Sequence, residues 1–255
     1  MSSLWQTEIL AHACLYASFD QGPDAELSRG EGRARLNAKV ARHATEGGRH
    51  GGCLVFAARD HGWAEDECVF AARDNFPYRE TSFEGTISLW LKGDPDADLN
   101  PAVPVDPFHI SRHAADGSFY LDLTRPDDDR YGSPRKLRFG IYGDSPPRDK
   151  LVGGQLLVVG ELGWSDGKWH HVAATFKNAN SGQPDGSAAV YVDGRLRGSM
   201  DGYTHRLTWN MADLKIGLGQ RYVGSIDVLL ILDRALPAAT IAAIARMNQP
   251  LRADS

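Results

Sequence analysis

Aromatic and polar side chains alternate with apolar ones in several short segments, and this spacing could build a binding surface. In Phe119–Thr124 and Leu137–Tyr142, every second residue is Leu, Phe or Ile, and Tyr, Asp and Arg lie among the residues between them. Aromatic rings stack on the apolar face of a sugar, and a few polar groups fix its hydroxyls. The pattern therefore predicts a carbohydrate-binding surface. The seven candidate ligand-binding residues are Trp90, His109, Tyr120, Asp122, Arg138, Tyr142 and His171.

The same alternation also has purely structural explanations. If Leu89, Phe119, Leu121, Phe139 and Ile141 point between two sheets, their neighbours point to the opposite face. Aromatic residues on such a face also pair across strands without binding anything, or pack beneath a loop. An open groove would favour binding and a filled face would favour packing, so both interpretations stay open here.

Asp227 is the strongest metal-ligand candidate, because it interrupts the otherwise apolar run Ile226–Leu232. A charge in such a run is costly unless it is paired or coordinated. Calcium prefers carboxylate and carbonyl oxygens, which Asp20 and the loop Gly47–Gly52 could supply. We therefore expect a structural calcium at Asp227 and Asp20. The alternative is that Asp227 lies at a solvated strand end or accepts hydrogen bonds from nearby backbone.

Short strands must position these residues, because alternation with period two is the signal of half-buried strands. Turns rich in Asp, Gly and Pro separate the strands, and Ile226–Leu232 reads as a strand covered on both faces. The one convincing helix starts at Pro237 and carries Ile241, Ile244 and Met247 at helical spacing. The sequence predicts an all-β fold, an antiparallel two-sheet β-sandwich (jelly roll) with a short C-terminal helix.

Composition narrows the function classes. The 255 residues include 33 acidic and 28 basic side chains, a net charge of −5 with mixed signs, which argues against nucleic acid as a partner. No stretch reaches the roughly 20 apolar residues of a membrane span. The three cysteines, Cys14, Cys53 and Cys68, read as buried thiols, with a Cys53–Cys68 bridge as the alternative. Residues 1–13 lack Lys, Arg and a long apolar run, so no signal peptide is expected there and the compartment stays open.

An ordered series of segments resembles one known family. The series comprises Leu15–Asp20, Thr86–Lys92, Gly167–Phe176, Ala189–Gly194, Leu214–Gly217, Gly224–Asp227 and Asp233–Leu236. It is similar to the laminin-G-like jelly roll of the concanavalin A-like lectin/glucanase superfamily. The resemblance implies one domain over residues 1–255, with its core at about 13–247, built from two sheets of which one is concave.

The resemblance also carries expectations about function. It implies carbohydrate or protein-surface binding, mostly outside the cell, and often a structural calcium where the first and last strands meet. Family members often carry a second acidic residue after the position of Asp227, where this chain has Val228, and they often bury the aromatic residue at the position of Trp90.

Three function classes follow from these expectations. The first is a non-catalytic module that binds a glycan or polysaccharide on the concave sheet face. The second is a polysaccharide-degrading enzyme, a lyase before a glycoside hydrolase. Arg138, His171, Tyr120 and Tyr142 could mimic the lyase set. The paired carboxylates of a hydrolase have no matching strand, since Glu65–Glu67 lies in a polar segment and Glu161 stands alone on its run. The third is a protein-interaction module that binds through loops at one edge.

Overall fold

Two antiparallel β-sheets pack face to face and enclose the main hydrophobic core. The structure is a computed structural model that describes residues 4–60, 67–110, 117–128, 130–143, 156–165 and 167–251. Its helices are α1 (Leu4–Ala11), α2 (Pro95–Asp98) and α3 (Ala238–Ala245). Its strands are β1 (Ala13–Ala17), β2 (Leu27–Ser28), β3 (Arg35–Leu36), β4 (Ala41–Ala44), β5 (Cys53–Ala57), β6 (Cys68–Ala71), β7 (Phe83–Lys92), β8 (Val105–Ile110), β9 (Ser118–Leu123), β10 (Leu137–Tyr142), β11 (Leu156–Val159), β12 (His170–Ala179), β13 (Gly186–Val192), β14 (Arg195–Tyr203), β15 (Lys215–Gln220) and β16 (Val223–Leu232).

The strands divide into a nine-stranded and a seven-stranded sheet. The nine-stranded sheet has the order β14-β13-β12-β7-β16-β1-β2. Its other two strands are β5, which also pairs with β16, and β4, which pairs with β5. The seven-stranded sheet has the order β11-β10-β9-β8-β15-β6-β3. This arrangement confirms the predicted antiparallel two-sheet sandwich. Glu65 and Asp66 of the acidic segment lie outside the described residues.

The main core lies between the sheets and follows the alternation of the sequence. Leu89 of the nine-stranded sheet and Phe119, Leu121, Phe139 and Ile141 of the seven-stranded sheet are all fully buried in it. The inward direction predicted for these five side chains is therefore confirmed. Their sequence neighbours point to the two outer faces, where the candidate site residues lie.

A second core covers the outer face of the nine-stranded sheet. Ile9 of α1 and Ile241 and Ile244 of α3 pack there with Leu230 of β16. Ile226 on the same strand belongs to the main core, so β16 is covered on both faces, as its apolar run predicts. The sequence also predicts α3, which follows Pro237, but it does not predict α1.

The three cysteines are buried in the sandwich. Cys14, Cys53 and Cys68 are all free thiols, which agrees with the first of the two interpretations of their number. Burial raises the pKa of Cys14 and of Cys68 to about 12, so both thiols are protonated at neutral pH.

Candidate functional site

Five of the seven predicted ligand-binding residues lie together on the outer face of the seven-stranded sheet. His109 is on β8, Tyr120 and Asp122 are on β9, and Arg138 and Tyr142 are on β10. Asp122 is buried and the other four side chains are partly exposed. The helices α1 and α3 pack on the other sheet. We call this surface the outer seven-stranded face.

The Tyr120 and His109 side chains lie side by side on the middle strands of this face. Tyr120 is paired with Gly140 of β10 on one side and with His109 of β8 on the other, and His109 is paired with Gly217 of β15. A Cβ atom at Gly140 would collide with the Tyr120 ring, and one at Gly217 would collide with the His109 ring. Each ring therefore lies across the glycine of the neighbouring strand, where no other residue would leave room for it.

The two tyrosines of the face are hydrogen-bonded to each other. The Tyr120 hydroxyl lies 3.0 Å from the Tyr142 hydroxyl, and the ring centroids are 5.5 Å apart with an interplanar angle of 56°. Burial and the charge of Asp122 raise the pKa of Tyr120 well above its ordinary value, and burial also raises the pKa of Tyr142. Both phenols stay neutral near pH 7 and retain donor as well as acceptor capacity.

A bidentate ion pair lies next to these side chains. Arg138 Nε donates to Asp122 Oδ1 at 2.7 Å, and Arg138 Nη2 donates to Asp122 Oδ2. Burial lowers the pKa of Arg138, but its hydrogen bonds to Asp122 and the carboxylate charge outweigh this, so the net shift is upward. The Arg138 guanidinium also lies 5.4 Å from the ring centroid of Tyr131. Asp122 and Tyr131 therefore hold the planar Arg138 guanidinium in one orientation on this face.

Asp106 adds a second carboxyl group to this face. The alternation of the sequence does not predict its position. It pairs with Gln220 of β15, and the register of β8 with β9 shifts between Val105 and Phe108. Burial and the neighbouring Asp122 carboxylate raise the pKa of Asp106 well above its ordinary value. Alternation in the sequence did not reveal this position because the bulge breaks the period. The signal that could have found it is Pro107, since proline inside a strand marks a bulge or an edge.

Trp90 and His171 lie on the opposite side of the molecule from the other five residues. Both are on the outer face of the nine-stranded sheet, where Trp90 is 5% exposed in the second core and His171 is fully buried. Ser88 Oγ lies 2.8 Å from His171 Nε2, and the rings of Trp90 and His171 are 5.2 Å apart. Burial lowers the pKa of His171 to about 4, so its ring is neutral near pH 7. The two residues therefore share no surface with Tyr120, because alternation assigns a side of a strand but does not assign a sheet.

The sequence model of one protein family, described as the concanavalin A-like lectin/glucanases superfamily, matches residues 68–242. The chain belongs to this superfamily. The matched segment runs from β6 into α3 and includes the whole outer seven-stranded face apart from β3. A comparison with curated proteins finds no match.

Solved structures share the superfamily fold with this chain. Domain 4 of AbnA, a GH43 extracellular arabinanase from Geobacillus stearothermophilus, has a TM-score of 0.57 and 18% identity over 92% of this chain and 98% of that domain. The binding domain of Paraclostridial Mosquitocidal Protein 1 has a TM-score of 0.62 and 11% identity over 93% of this chain and 52% of that domain. The receptor-binding domain of botulinum neurotoxin type G has a TM-score of 0.60 and 12% identity over 92% of this chain and 51% of that domain. The chain thus spans about half the length of the two toxin domains.

Backbone N–H groups hold the Asp227 side chain in place. Asp227 Oδ2 accepts hydrogen bonds from the backbone N–H groups of Arg49 (2.6 Å) and His50 (3.1 Å), and Oδ1 accepts one from Val228 (2.9 Å). Burial raises the pKa of Asp227 to about 7, and these hydrogen bonds oppose the shift. The side chain therefore anchors the glycine-rich loop to β16.

Asp20 holds the same loop, since its Oδ1 accepts a hydrogen bond from the Gly52 N–H at 3.3 Å. Calcium needs oxygen ligands, whereas the loop turns N–H donors toward both carboxylates. Within the described ranges, no group of three His, Cys, Asp or Glu side chains could hold a metal ion. In this arrangement the oxygens of Asp227 and Asp20 accept hydrogen bonds from the loop backbone, and the structural calcium expected at these residues stays a prediction. Over the same ranges, no helix is long and apolar enough to cross a membrane.

Proposed function

We propose that the chain is a carbohydrate-binding module that binds a glycan on the outer seven-stranded face. The observation that carries this proposal is the arrangement in which the Tyr120 and His109 rings lie across Gly140 and Gly217, beside the Asp122–Arg138 pair. Flat aromatic surface next to oriented charged groups is the combination that sugar rings and their hydroxyls require.

Each element of the face has a separate task in this proposal. The rings of His109 and Tyr142 supply partly exposed apolar surface for the C–H face of a sugar. The Arg138 guanidinium, held in place by Asp122, donates to ring or hydroxyl oxygens. Asp106 offers a second carboxyl group, whose pKa burial and the Asp122 charge raise above its ordinary value. Together these groups can donate hydrogen bonds to sugar hydroxyl groups and accept hydrogen bonds from them, without any covalent change.

Two of the similar folds support binding as the general role. The arabinanase domain from Geobacillus stearothermophilus was solved in complex with arabinotriose, and the botulinum neurotoxin domain is a receptor-binding domain. Both are related to this chain by fold, and the outer seven-stranded face supplies the residues that would carry a binding role here.

A glycan array tests the proposal. Wild-type protein is applied with calcium and with a chelator, in parallel with the double variant His109→Ala/Tyr142→Ala and the control variant Trp169→Ala on the other side of the molecule. We expect a defined set of glycans to be bound by wild type and by the control, and lost in the double variant. Equal binding by all three proteins would contradict the proposal, and the chelator arm reports separately on calcium.

A second candidate function is polysaccharide hydrolysis, and one observation favours it. Asp106 and Asp122 lie on neighbouring strands, and the pKa of Asp106 is raised well above its ordinary value by burial and by Asp122. Burial raises the pKa of Asp122 as well. A pair of carboxyl groups is the arrangement of glycoside hydrolases. Incubation with a polysaccharide panel, followed by assays for reducing ends and for unsaturated products, tests both hydrolase and lyase activity. Product formation that Asp106→Asn abolishes would replace the binding proposal.

A further inference from the structure

A separate cavity lies at one end of the sandwich, away from the outer seven-stranded face. It has a volume of about 330 Å³, which falls at the lower end of the roughly 300–1,000 Å³ that small-molecule sites occupy. Its lining comes from the start of α2, the residues before β10 and the segment after β11: Asp94, Pro95, Asp96, Pro134, Arg135 and Glu161–Ser165. We call it the end cavity.

Two side chains that line the end cavity carry N–H groups without a partner. Arg135 is 1% exposed, and Trp164 is 5% exposed. Over the residues that the structure describes, neither Arg135 Nε nor Trp164 Nε1 has a hydrogen-bond partner. An unpaired buried donor destabilises the folded protein, so both groups gain free energy when an acceptor atom reaches them.

The remaining contacts of these two side chains hold them rigidly. The Arg135 guanidinium donates to the carbonyl groups of Thr124 (2.7 Å), Asn100 (2.5 Å) and Val103 (3.3 Å). The Trp164 indole stacks on the His170 ring, with centroids 5.0 Å apart and an interplanar angle of 13°. The two donors are therefore preorganised, which lowers the entropy cost of binding.

Acidic groups surround the same cavity and restrict the class of ligand. Glu161 and Asp96 are exposed at its lining, and their charges repel an anion. A cation would not satisfy the two N–H donors, and a hydrocarbon would leave them unpaired. A hydroxyl group accepts from an N–H donor and donates to a carboxylate at the same time. Pro95, Leu162 and Trp164 supply the apolar surface that the C–H groups of such a ligand need.

We propose that the end cavity binds a single neutral sugar unit or a similar polyol, through the N–H groups of Arg135 and Trp164 and the carboxylates of Glu161 and Asp96. This site shares no residue with the outer seven-stranded face and does not depend on the function proposed for that face. A chain with both sites would hold two points of a branched or long glycan, or two separate ligands.

Nuclear magnetic resonance of the tryptophan indole N–H groups tests this proposal on the intact chain. The probes are D-glucose, D-galactose, L-arabinose and glycerol, with sodium acetate as the anionic probe. We expect at least one neutral probe to shift the Trp164 indole resonance saturably, and acetate to leave it unchanged. A Trp164 resonance that no neutral probe shifts, or that acetate alone shifts, would overturn the proposal.

A conservative variant sharpens the test. Trp164→Phe keeps an aromatic ring and removes the N–H donor, so ligand-observed binding of the active probe should weaken roughly tenfold. Trp169→Phe, five residues along the chain, is the matched control and should bind as wild type. Equal affinity in wild type and Trp164→Phe contradicts the assigned donor. The ring resonances of His109 report on the outer seven-stranded face in the same titration, so the failure of one site is distinguished from the failure of the other.

Discussion

The outer faces of the two sheets carry similar residues, but these residues are buried on one sheet and partly exposed on the other. On the nine-stranded sheet, Trp90 and His171 are buried under a second core that includes residues of α1 and α3. On the seven-stranded sheet, His109, Tyr120 and Tyr142 stay partly exposed beside an ion pair. The type and spacing of residues are thus shared by a packing layer and a candidate binding surface. Among the described residues, α1 and α3 cover the nine-stranded face, and the candidate residues of the seven-stranded face keep partial exposure.

The largest expected difference between the faces is in stability. Trp90→Ala empties a buried site and should lower the free energy of unfolding by about 3–5 kcal/mol. Tyr142→Ala changes a partly exposed side chain and should cost about 1 kcal/mol or less. Chemical denaturation of both variants measures this, and equal costs would contradict the division into a packed and an open face.

The ion pair of the open face should behave as a buried unit. Arg138→Met leaves the Asp122 carboxylate buried without its partner, at a cost of about 3 kcal/mol or more. The double variant Arg138→Met/Asp122→Leu removes both charges and should recover most of that stability. A double-mutant cycle measures the coupling, and additive effects would show that the pair is solvated rather than fixed.

The packed face should also carry a pH dependence. The pKa of His171 is lowered from 6.5 to about 4 by burial, so the unfolded chain takes up a proton more readily than the folded chain does. Stability from this residue is complete above about pH 6.5 and is lost as the pH falls towards 4, by at most about 3 kcal/mol.

Unfolding of wild type and His171→Gln between these pH values tests this directly. The variant should lose less stability as the pH falls. His50 and His205, whose pKa values burial also lowers to about 4, contribute to the loss that remains. Asp227, whose pKa burial raises to about 7, opposes it. An unchanged slope in the variant would mean that His171 is accessible to solvent. This would contradict the burial of the outer face of the nine-stranded sheet.

The glycines beneath the rings should also contribute to stability, by a modest amount. Gly140→Ala places a Cβ against the Tyr120 ring and should cost about 1–2 kcal/mol through overpacking, while it tilts the ring and weakens glycan binding. Gly22→Ala is the matched control, since a Cβ there meets no atom within 4 Å. Unchanged binding by Gly140→Ala would show that the Tyr120 ring is not the recognition element.

The sequence predicts much of the fold, because the patterns that indicate strands and helices involve residues that are close in the chain. Alternation at Phe119–Leu123 and Leu137–Tyr142 assigns each side chain to the core or to an outer face, and every assignment tested there holds. Helix α3 follows from Pro237 and the helical spacing of Ile241 and Ile244. These features depend on neighbours in the chain, so a single sequence reveals them.

The site is only partly predictable, because it depends on contacts between distant segments. Alternation placed Trp90 and Tyr120 in one group, whereas strand order puts them on different sheets. Asp106 reaches the face through a bulge that breaks the period. Asp227 contacts the loop Gly47–Gly52 that the sequence analysis associates with it, but the loop offers the N–H groups of Arg49 and His50, and the sequence does not determine whether N–H or carbonyl groups face the carboxylate.

We propose that the outer seven-stranded face, and not the outer face of the nine-stranded sheet, binds a glycan. Titration of the protein with the strongest glycan from the array, followed through the ring resonances of His109, Tyr120 and Tyr142 and of Trp90 and His171, tests it most directly. We expect saturable shifts at the rings of His109, Tyr120 and Tyr142 and none at Trp90 and His171. Shifts at Trp90 and His171 without change at His109, Tyr120 and Tyr142 would contradict it.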